Sequence, residues 1–408
     1  MFKESVEKYY PEMAAIREDL HRHPELSNQE LRTSALVMDQ LKSYGLDKVE
    51  QVAGTGVLGV LYGTAAGGSS ESCGDVGQSA GRCLAIRADM DALPVTEESG
   101  LPFTSENPGV MHACGHDIHT ATLLTVARVL AERRDQFQGC VKFIFQAAEE
   151  KAPAGGARPM CEAGVMENPH VDAIIALHVV PSTDHAGKFG LKKGTVSSGF
   201  DLYDFDVHGK SGHGSQPHTA NDAILAVSQL IVMLQQIVSR NIDPLKTAIF
   251  SIGLLSGGSA VNIIPGEARA EGVARYYDNE SAEVIRARAL DIAEGVGKLS
   301  GCQIDVKVQK GYACVENDGQ LIDMIEGALK AELGEDATMV LDEPFSGSED
   351  FSYFSIHSGA PVALMWLHAY PEGGEVYPLH NPKCVMQSDI IKTGAAGMAR
   401  IAMEFLNQ

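Results

Sequence analysis

"CLAIRADMD" occupies residues 83–91, and its reading decides the fold. A short apolar run ends in two acids, Asp89 and Asp91. The design recurs twice: "CVKFIFQAAEE" (140–150) ends in Glu149 and Glu150, and "VDAIIALH" (171–178) ends in His178. Between the first two runs lies a helical pattern, "TATLLTVARVLAERRDQF" (120–137). Strands that are apolar on both faces and alternate with helices imply a mostly parallel sheet, covered on both sides. Ligands of such sheets sit at the carboxyl ends of the strands. All three runs place their acids or histidine there, so one site is expected where the strands end.

Working outward, residues 3–44 read as two helices, interrupted at "HRHPELS" (21–27) by Pro24 and Ser27. "GVLGVLYG" (56–63) reads as a strand, and the Gly/Ser-rich stretch 64–81 as a flexible surface loop. After about residue 192 the character changes. "FDLYDFDVHG" (200–209) alternates as a half-exposed strand does. A helix (221–239), two strands (247–257 and 267–277), a helix (279–299) and a strand (302–309) follow. That βαββαβ order matches a split, ferredoxin-like unit. The expected organisation is a catalytic domain of residues 1–191 and 311–408, with 192–310 inserted into it. The fold class is α/β with an added α+β domain.

A chain of 408 residues has room for this arrangement. The formal charge of −22 argues against a phosphate-backbone binder, which needs a basic footprint. The first twenty residues are charged throughout and lack the apolar segment of a targeting signal. No stretch reads as apolar for long enough to span a membrane. A cytoplasmic location is expected. The eight cysteines are scattered without a CxxC pair and read as reduced thiols.

Only Cys114 has metal-ligand company, in "HACGHDIH" (112–119). Thiolate and imidazole suit zinc, cobalt or manganese-type ions, the thiolate favouring zinc and cobalt. Glu150 and His178 would arrive from neighbouring strand ends, and His380 from "YPLHNP" (377–382). A single histidine is most often a hydrogen-bonded structural residue, so the argument rests on the set. Asp117 and His119 are expected to help start the following helix, where an acid favours the N-terminus. His112 has no assigned role.

The chain resembles the aminoacylase and glutamate-carboxypeptidase superfamily of dinuclear metalloamidohydrolases, in its branch of auxin-conjugate and hippurate hydrolases. The segments that carry the resemblance run in order through nearly the whole chain. They are "HRHPELS" (21–27), "RADMDALPV" (87–95), "HACGHDIHTA" (112–121), "FQAAEE" (145–150), "ALHVVP" (176–181), "GHGSQPH" (212–218), "GGSAVNIIPGEARAEGVAR" (257–275), "GSEDF" (347–351) and "LHNP" (379–382). The resemblance implies that Cys114, His116, Glu150, His178 and His380 hold two divalent ions per subunit. These are manganese or zinc, with cobalt or nickel as alternatives. It makes Glu149 the general base and Asp91 an orienting residue near the metals. Asp89 stands where the wider superfamily has a histidine, and the resemblance gives it no ligand role.

The implied reaction is hydrolysis of an N-acyl-L-amino acid. Two metal ions polarise the amide carbonyl and lower the pKa of water from about 16 to near 7. A carboxylate then moves the proton to the departing amine. Adjacent acids at a strand end can divide these tasks, because neighbouring side chains point to different sides. The inserted domain is implied to act as a lid and dimer surface. Asn262 and Arg275 would grip the substrate α-carboxylate, and His213, often supplied across a dimer, would stabilise the oxyanion. A small-molecule substrate and a homodimer are therefore expected, with no nucleic acid and no membrane. One departure lies beside the expected pocket: "EEKAPAGGARPM" (149–160) carries Lys151 and Pro153 where the family often has a Gly-rich loop. A dipeptidase or carboxypeptidase with the same site is the alternative. A non-catalytic metal protein is disfavoured by the presence of Glu149.

Overall fold

The computed structural model describes residues 2–65 and 81–408, so most of the loop expected at 64–81 lies outside the described residues. The chain divides into two compact units. The first comprises Met1–Val196, Glu316–Glu343 and Asp350–Gln408; the second comprises Ser197–Val315 and Pro344–Glu349.

The first unit opens with α1 (Phe2–Arg22) and α2 (Leu31–Ser43). On α1, Val6, Tyr9, Met13, Arg17 and Leu20 are buried at helical spacing. Arg17 within that stripe, and His21 after it, are the first sign of a buried polar network. Next come β1 (Lys48–Val52), β2 (Gly56–Tyr62), β3 (Cys83–Asp89), α3 (His116–Ala131), β4 (Cys140–Gln146), α4 (Ala157–Glu162), β5 (Ala173–Pro181) and β6 (Phe189–Leu191). Helix α3 begins four residues before the apolar pattern at 120, directly at His116. Strand β5 continues past His178 to Pro181.

The second unit contains β7 (Gly199–His208), α5 (Ala223–Gln236), β8 (Ala248–Gly257), β9 (Glu267–Tyr276), α6 (Asn279–Ser300) and β10 (Gln303–Lys310). Its sheet has the order β8-β9-β7-β10 and is antiparallel throughout. Asp222 and Asp278 cap α5 and α6, each accepting a backbone N–H from the first turn. Tyr203, Phe205 and Val207 of β7 pack against Ala226, Val227 and Leu230 of α5 and against Ile285, Ala289 and Ile292 of α6.

The unit begins five residues later than the expected 192, and it recruits Pro344–Glu349. The reason is backbone pairing: Ser198 N donates to Phe345 O and Gly347 O at 3.2 and 3.0 Å. The expectation about long apolar stretches is corrected here. Ala223–Asn241 is long and apolar enough, by length and composition, to cross a membrane. The core against which α5 packs accounts for part of that apolar character.

The chain then returns to the first unit with α7 (Gly319–Leu333), β11 (Thr338–Val340), α8 (Ser352–Ser358), β12 (Val362–Ala369) and α9 (Ile390–Leu406). The large sheet has the order β1-β2-β4-β3-β5-β12-β6-β11. Its centre, β4-β3-β5-β12, is parallel, and antiparallel pairings lie toward the edges.

Alternation gives the central strands two different faces. One is apolar: Leu84, Ile86 and Ala88 of β3, Val141, Phe143 and Phe145 of β4, and Ile175, Leu177 and Val179 of β5 join the main core. The other carries Arg87, Asp89, Lys142, Gln146 and His178, all buried. These strands are therefore covered on both faces but apolar on only one. The polar face has its own partners. Lys142 Nζ, for example, donates to Val165 O at 2.9 Å and Glu167 O at 2.6 Å. The row leads along the sheet to the strand ends, where the site is built.

Candidate metal centre

Gly115 makes the turn that joins Cys114 to His116. Its φ is +86°, and a Cβ there would come within 2.5 Å of Val179 and 2.9 Å of Met386. Only glycine tolerates both the backbone and the crowding. The turn brings Cys114 Sγ to 3.4 Å from His178 Nε2. His116 donates from Nδ1 to Asp91 O at 2.9 Å, leaving Nε2 buried with no hydrogen bond. His178 likewise donates from Nδ1 to Val179 O at 2.8 Å. Each imidazole thus has Nδ1 fixed by a carbonyl, while Nε2 faces the donor cluster, against Cys114 Sγ in the case of His178, the arrangement that sets tautomer and orientation in metal sites.

The two glutamates do not lie on the strand. β4 ends at Gln146, and Glu149 and Glu150 sit in the turn beyond it, so the strand-pleat argument for their divergence is replaced by a loop. Ala148 there has φ +55°. Three successive amides are held by two carboxylates: Ala148 N by Glu30 Oε1 at 2.9 Å, Glu149 N by Asp91 Oδ1 at 3.1 Å, and Glu150 N by Asp91 Oδ2 at 3.0 Å. Asp91 therefore fixes both glutamate backbones as well as His116. His380 reaches Glu150 Oε1 at 3.3 Å. It is half exposed, has φ +68°, and its own N–H is fastened to Ala113 O at 2.9 Å.

Of the groups of donor atoms that lie mutually within 4.8 Å among the described residues, three are built from the expected ligands and Glu149: Cys114, His116 and His178; Cys114, Glu150 and His380; His116, Glu149 and Glu150. Ligand atoms 2.0–2.3 Å from a shared ion are themselves no more than about 4.5 Å apart. The donor set fits two divalent cations, and Cys114 belongs to two of the groups. The electrostatics fit as well. Burial opposes charge on His116, but Asp89, Asp91 and Glu150 overcome it and push its pKa up to about 10. Burial, then Glu150, Glu149 and Asp89, push the Cys114 thiol up. Carboxylates this dense call for positive charge, which would reverse both shifts.

Asp117 and His119 do more than start a helix. Asp117 is buried, and its Oδ2 meets Arg17 Nε and His21 Nδ1, both at 2.8 Å, tying α1 to the metal-binding turn. His119 donates from Nδ1 to Asp89 at 2.6 Å and accepts Val179 N–H at Nε2 at 2.8 Å. Both nitrogens are used, so it has none left for an ion. Asp89 also receives Arg87 Nη1 at 2.6 Å. Sequence reasoning missed Arg17, Glu30, Arg87 and Gln146. For Arg17 and Arg87 the available signal was a charge inside an apolar stripe or run, and for Gln146 the polar residue that closes one; Glu30 lies in a polar stretch and gave none.

The remaining candidates lie in the second unit, where Asn262 and Arg275 are not together. His213 pairs with Ile263 across a two-residue ladder, and Gly214 N donates to Asn262 O at 2.9 Å. Both are exposed and lie beyond the Glu267 end of β9. Arg275 is at the other end of that strand, which at roughly 3.4 Å per residue is about 27 Å away. Asn262 and Arg275 of one chain therefore stand toward opposite ends of β9. Arg275 Nη1 lies 3.1 Å from Ser348 Oγ and 3.4 Å from Ser198 Oγ. It has no ion-pair partner among the described residues.

Residues 85–404 match the sequence pattern of Peptidase family M20/M25/M40. The chain is 36% identical to the hippurate hydrolase of Campylobacter jejuni, over 97% of both chains. It is 38% identical to an N-acyl-L-amino acid amidohydrolase of Geobacillus stearothermophilus, over 77% of this chain and 80% of that one. It is 37% identical to thermostable carboxypeptidase 1 of Saccharolobus solfataricus, over 96% and 95%. Among solved structures, a putative aminohydrolase from methicillin-resistant Staphylococcus aureus superposes with a TM-score of 0.90 at 35% identity, covering 99% of each chain. The YXEP protein of Bacillus subtilis, described as a dinuclear metal binding peptidase, superposes at 0.81 with 30% identity, covering 98% and 99%. Fold, donor cluster and relatives agree over nearly the whole length, and the chain belongs to peptidase family M20/M25/M40.

Proposed function

We propose that this chain hydrolyses the amide bond of N-acyl-L-amino acids, releasing a carboxylic acid and an amino acid, at a centre of two divalent cations. The observation that carries the reading is the convergence of Cys114, His116, Glu150, His178 and His380 beside the carboxylate of Glu149. The five would hold the cations. When bound, the cations act as Lewis acids toward the scissile carbonyl and lower the pKa of water. Glu149 takes the proton of the attacking water and returns it to the departing amine. Asp91 keeps His116 and both glutamates in register for this. Manganese or zinc is the expected ion, with cobalt and nickel as alternatives. A cytoplasmic setting suits a thiol ligand. The carboxypeptidase reading shares the site and differs only in the acyl side of the bond.

A second copy of the chain supplies His213 and Asn262. The 27 Å estimate supports this, because one substrate cannot meet both ends of β9 of a single chain. β8 is an edge strand with Leu254 and Leu255 about 60% exposed, and α5 presents Leu225 and Val232. Unpaired edges with apolar side chains invite a symmetric partner. Arg275 then fixes the substrate carboxylate, and the partner copy's His213 stabilises the oxyanion.

The test is amine release from a panel of N-acetyl and N-benzoyl amino acids and of dipeptides, with zinc, manganese and cobalt in turn. Faster cleavage of dipeptides under every metal would replace the reading with the peptidase one. Cys114→Ala is expected to lower metal content and turnover together. Trp366, the only tryptophan, has its ring 5.1 Å from that of His178 and reports occupancy through its emission. Full occupancy with normal turnover would remove Cys114 from the site. Co-expressed His213→Ala and Glu149→Gln chains are expected to regain about a quarter of wild-type activity, since roughly half the dimers then carry one complete site. No gain over the separate variants would place His213 in its own chain's site or outside any.

A further inference from the structure

Asp350, in the "GSEDF" stretch, is the residue at which the chain re-enters the first unit, and it is fully buried. Gln146 Nε2 stands 2.8 and 2.9 Å from its two oxygens. The N–H groups of Gly156 and Ala157 both donate to Oδ2 at 2.9 Å. Arg87 Nη2 lies 3.4 Å from Oδ1, and Arg87 Nε donates to Gln146 Oε1 at 2.8 Å. Each of these neighbours offers Asp350 a donor.

The partners bracket one loop. Gln146 is the last residue of β4, and Gly156 precedes α4. Between them lie Glu149, Glu150 and the departure "KAPAG" (151–155). The two ends of the loop are pressed together around the carboxylate. A Cβ on Gly155 would lie 2.4 Å from Asp350 Oδ2, and one on Gly156 only 1.7 Å from Ala147 O. Oxygens of Asp350 and Glu149 approach within 4.8 Å. Oxygens of Glu149 also lie within 4.8 Å of His116 and Glu150 donor atoms, so its carboxylate reaches from Asp350 to the metal centre.

We infer that Asp350 is a positioning residue for Glu149: it closes the base of the 147–155 loop and so aims the general base at the reacting water. The inference rests on the proposed role of Glu149. It concerns the rate of the chemical step rather than metal or substrate binding.

The experiment is a double-mutant cycle on full-length, metal-loaded protein, using the N-acyl amino acid that wild type turns over best. Asp350→Asn keeps size but sets an amide N–H₂ against the N–H₂ of Gln146. Gln146 cannot escape by flipping, because Arg87 Nε then meets a donor. Adding Gln146→Glu restores an acceptor for both and returns the charge to the cluster. Asp350→Asn is expected to lower kcat by on the order of 10², the usual cost of a misplacement near 1 Å. KM is expected to stay within about twofold and metal content to be unchanged. The double variant is expected to recover at least about tenfold of the loss. Should Asp350→Asn fail to fold, the other arm decides: Gln146→Glu alone opposes two carboxylates, and adding Asp350→Asn should then raise kcat. A kcat within about threefold of wild type for Asp350→Asn overturns the inference. So does metal loss in parallel with kcat, or a double variant no better than its singles. Glu149→Gln serves as the reference. If it is active, the reading of the site fails; if it is inactive while the cycle shows no coupling, only the role of Asp350 fails.

Discussion

Glu149→Gln is expected to keep both metals and to bind substrate with little change, while turnover falls by a factor on the order of 10² or more. The amide has nearly the shape of the carboxylate, and the backbone contact with Asp91 at 3.1 Å does not depend on the side chain. What is lost is the acceptor for the water proton and, afterwards, the donor to the amine. Glu150→Gln is expected to do something different. Glu150 Oε1 lies 3.3 Å from His380 Nε2, within the group that includes Cys114. Removing its charge should lower metal content first and activity as a consequence, with partial recovery at high metal concentration. The pair of measurements, turnover against metal stoichiometry, separates the roles. If Glu149→Gln loses metal and Glu150→Gln keeps it, the assignment within the two acids is reversed.

The parts that were legible in the sequence share a cause. Strand positions followed from apolar runs, and the site from the polar residues that ended them. Periodicity reports which residues avoid water, so the layered α/β fold and the four-stranded second unit were readable. The three departures have physical reasons. Helix α3 starts at His116 because Gly115, at φ +86°, ends the preceding turn there. The glutamates leave the strand because Asp91, Glu30 and Asp350 offer a loop more acceptors than a strand edge would. The separation of Asn262 from Arg275 was hidden because it depends on register: Arg275 pairs with Phe200, while Glu267 pairs with His208. Twelve residues of sequence between them say nothing of direction. The buried network through Arg17, Asp117 and His21 was equally silent, since a charged residue in an amphipathic pattern ordinarily marks the wet face.

Arg275 provides the second large effect, and it is a matter of specificity. The guanidinium is half-buried on β9 and rests on the hydroxyls of Ser198 and Ser348. These neutral partners steady it without neutralising its charge, so the planar fork is available to a carboxylate. A charge-assisted, bidentate pair contributes more than a neutral hydrogen bond, and an ester or amide cannot form it. Amidating the substrate α-carboxylate is therefore expected to lower kcat/KM of wild type by on the order of 10². Arg275→Ala should cost the acid substrate a similar factor, while the amidated substrate, already without the contact, loses little further. The two changes remove one interaction, so their effects should not add. Arg275→Lys separates charge from geometry: a point charge without the fork should recover only part of the loss. The comparison is read as a ratio of kcat/KM values for acid and amide across the three proteins, which cancels any general damage to folding. Equal proportional losses on both substrates would show that Arg275 serves the second unit's own structure, through Ser198 and Ser348, and that the carboxylate is held elsewhere.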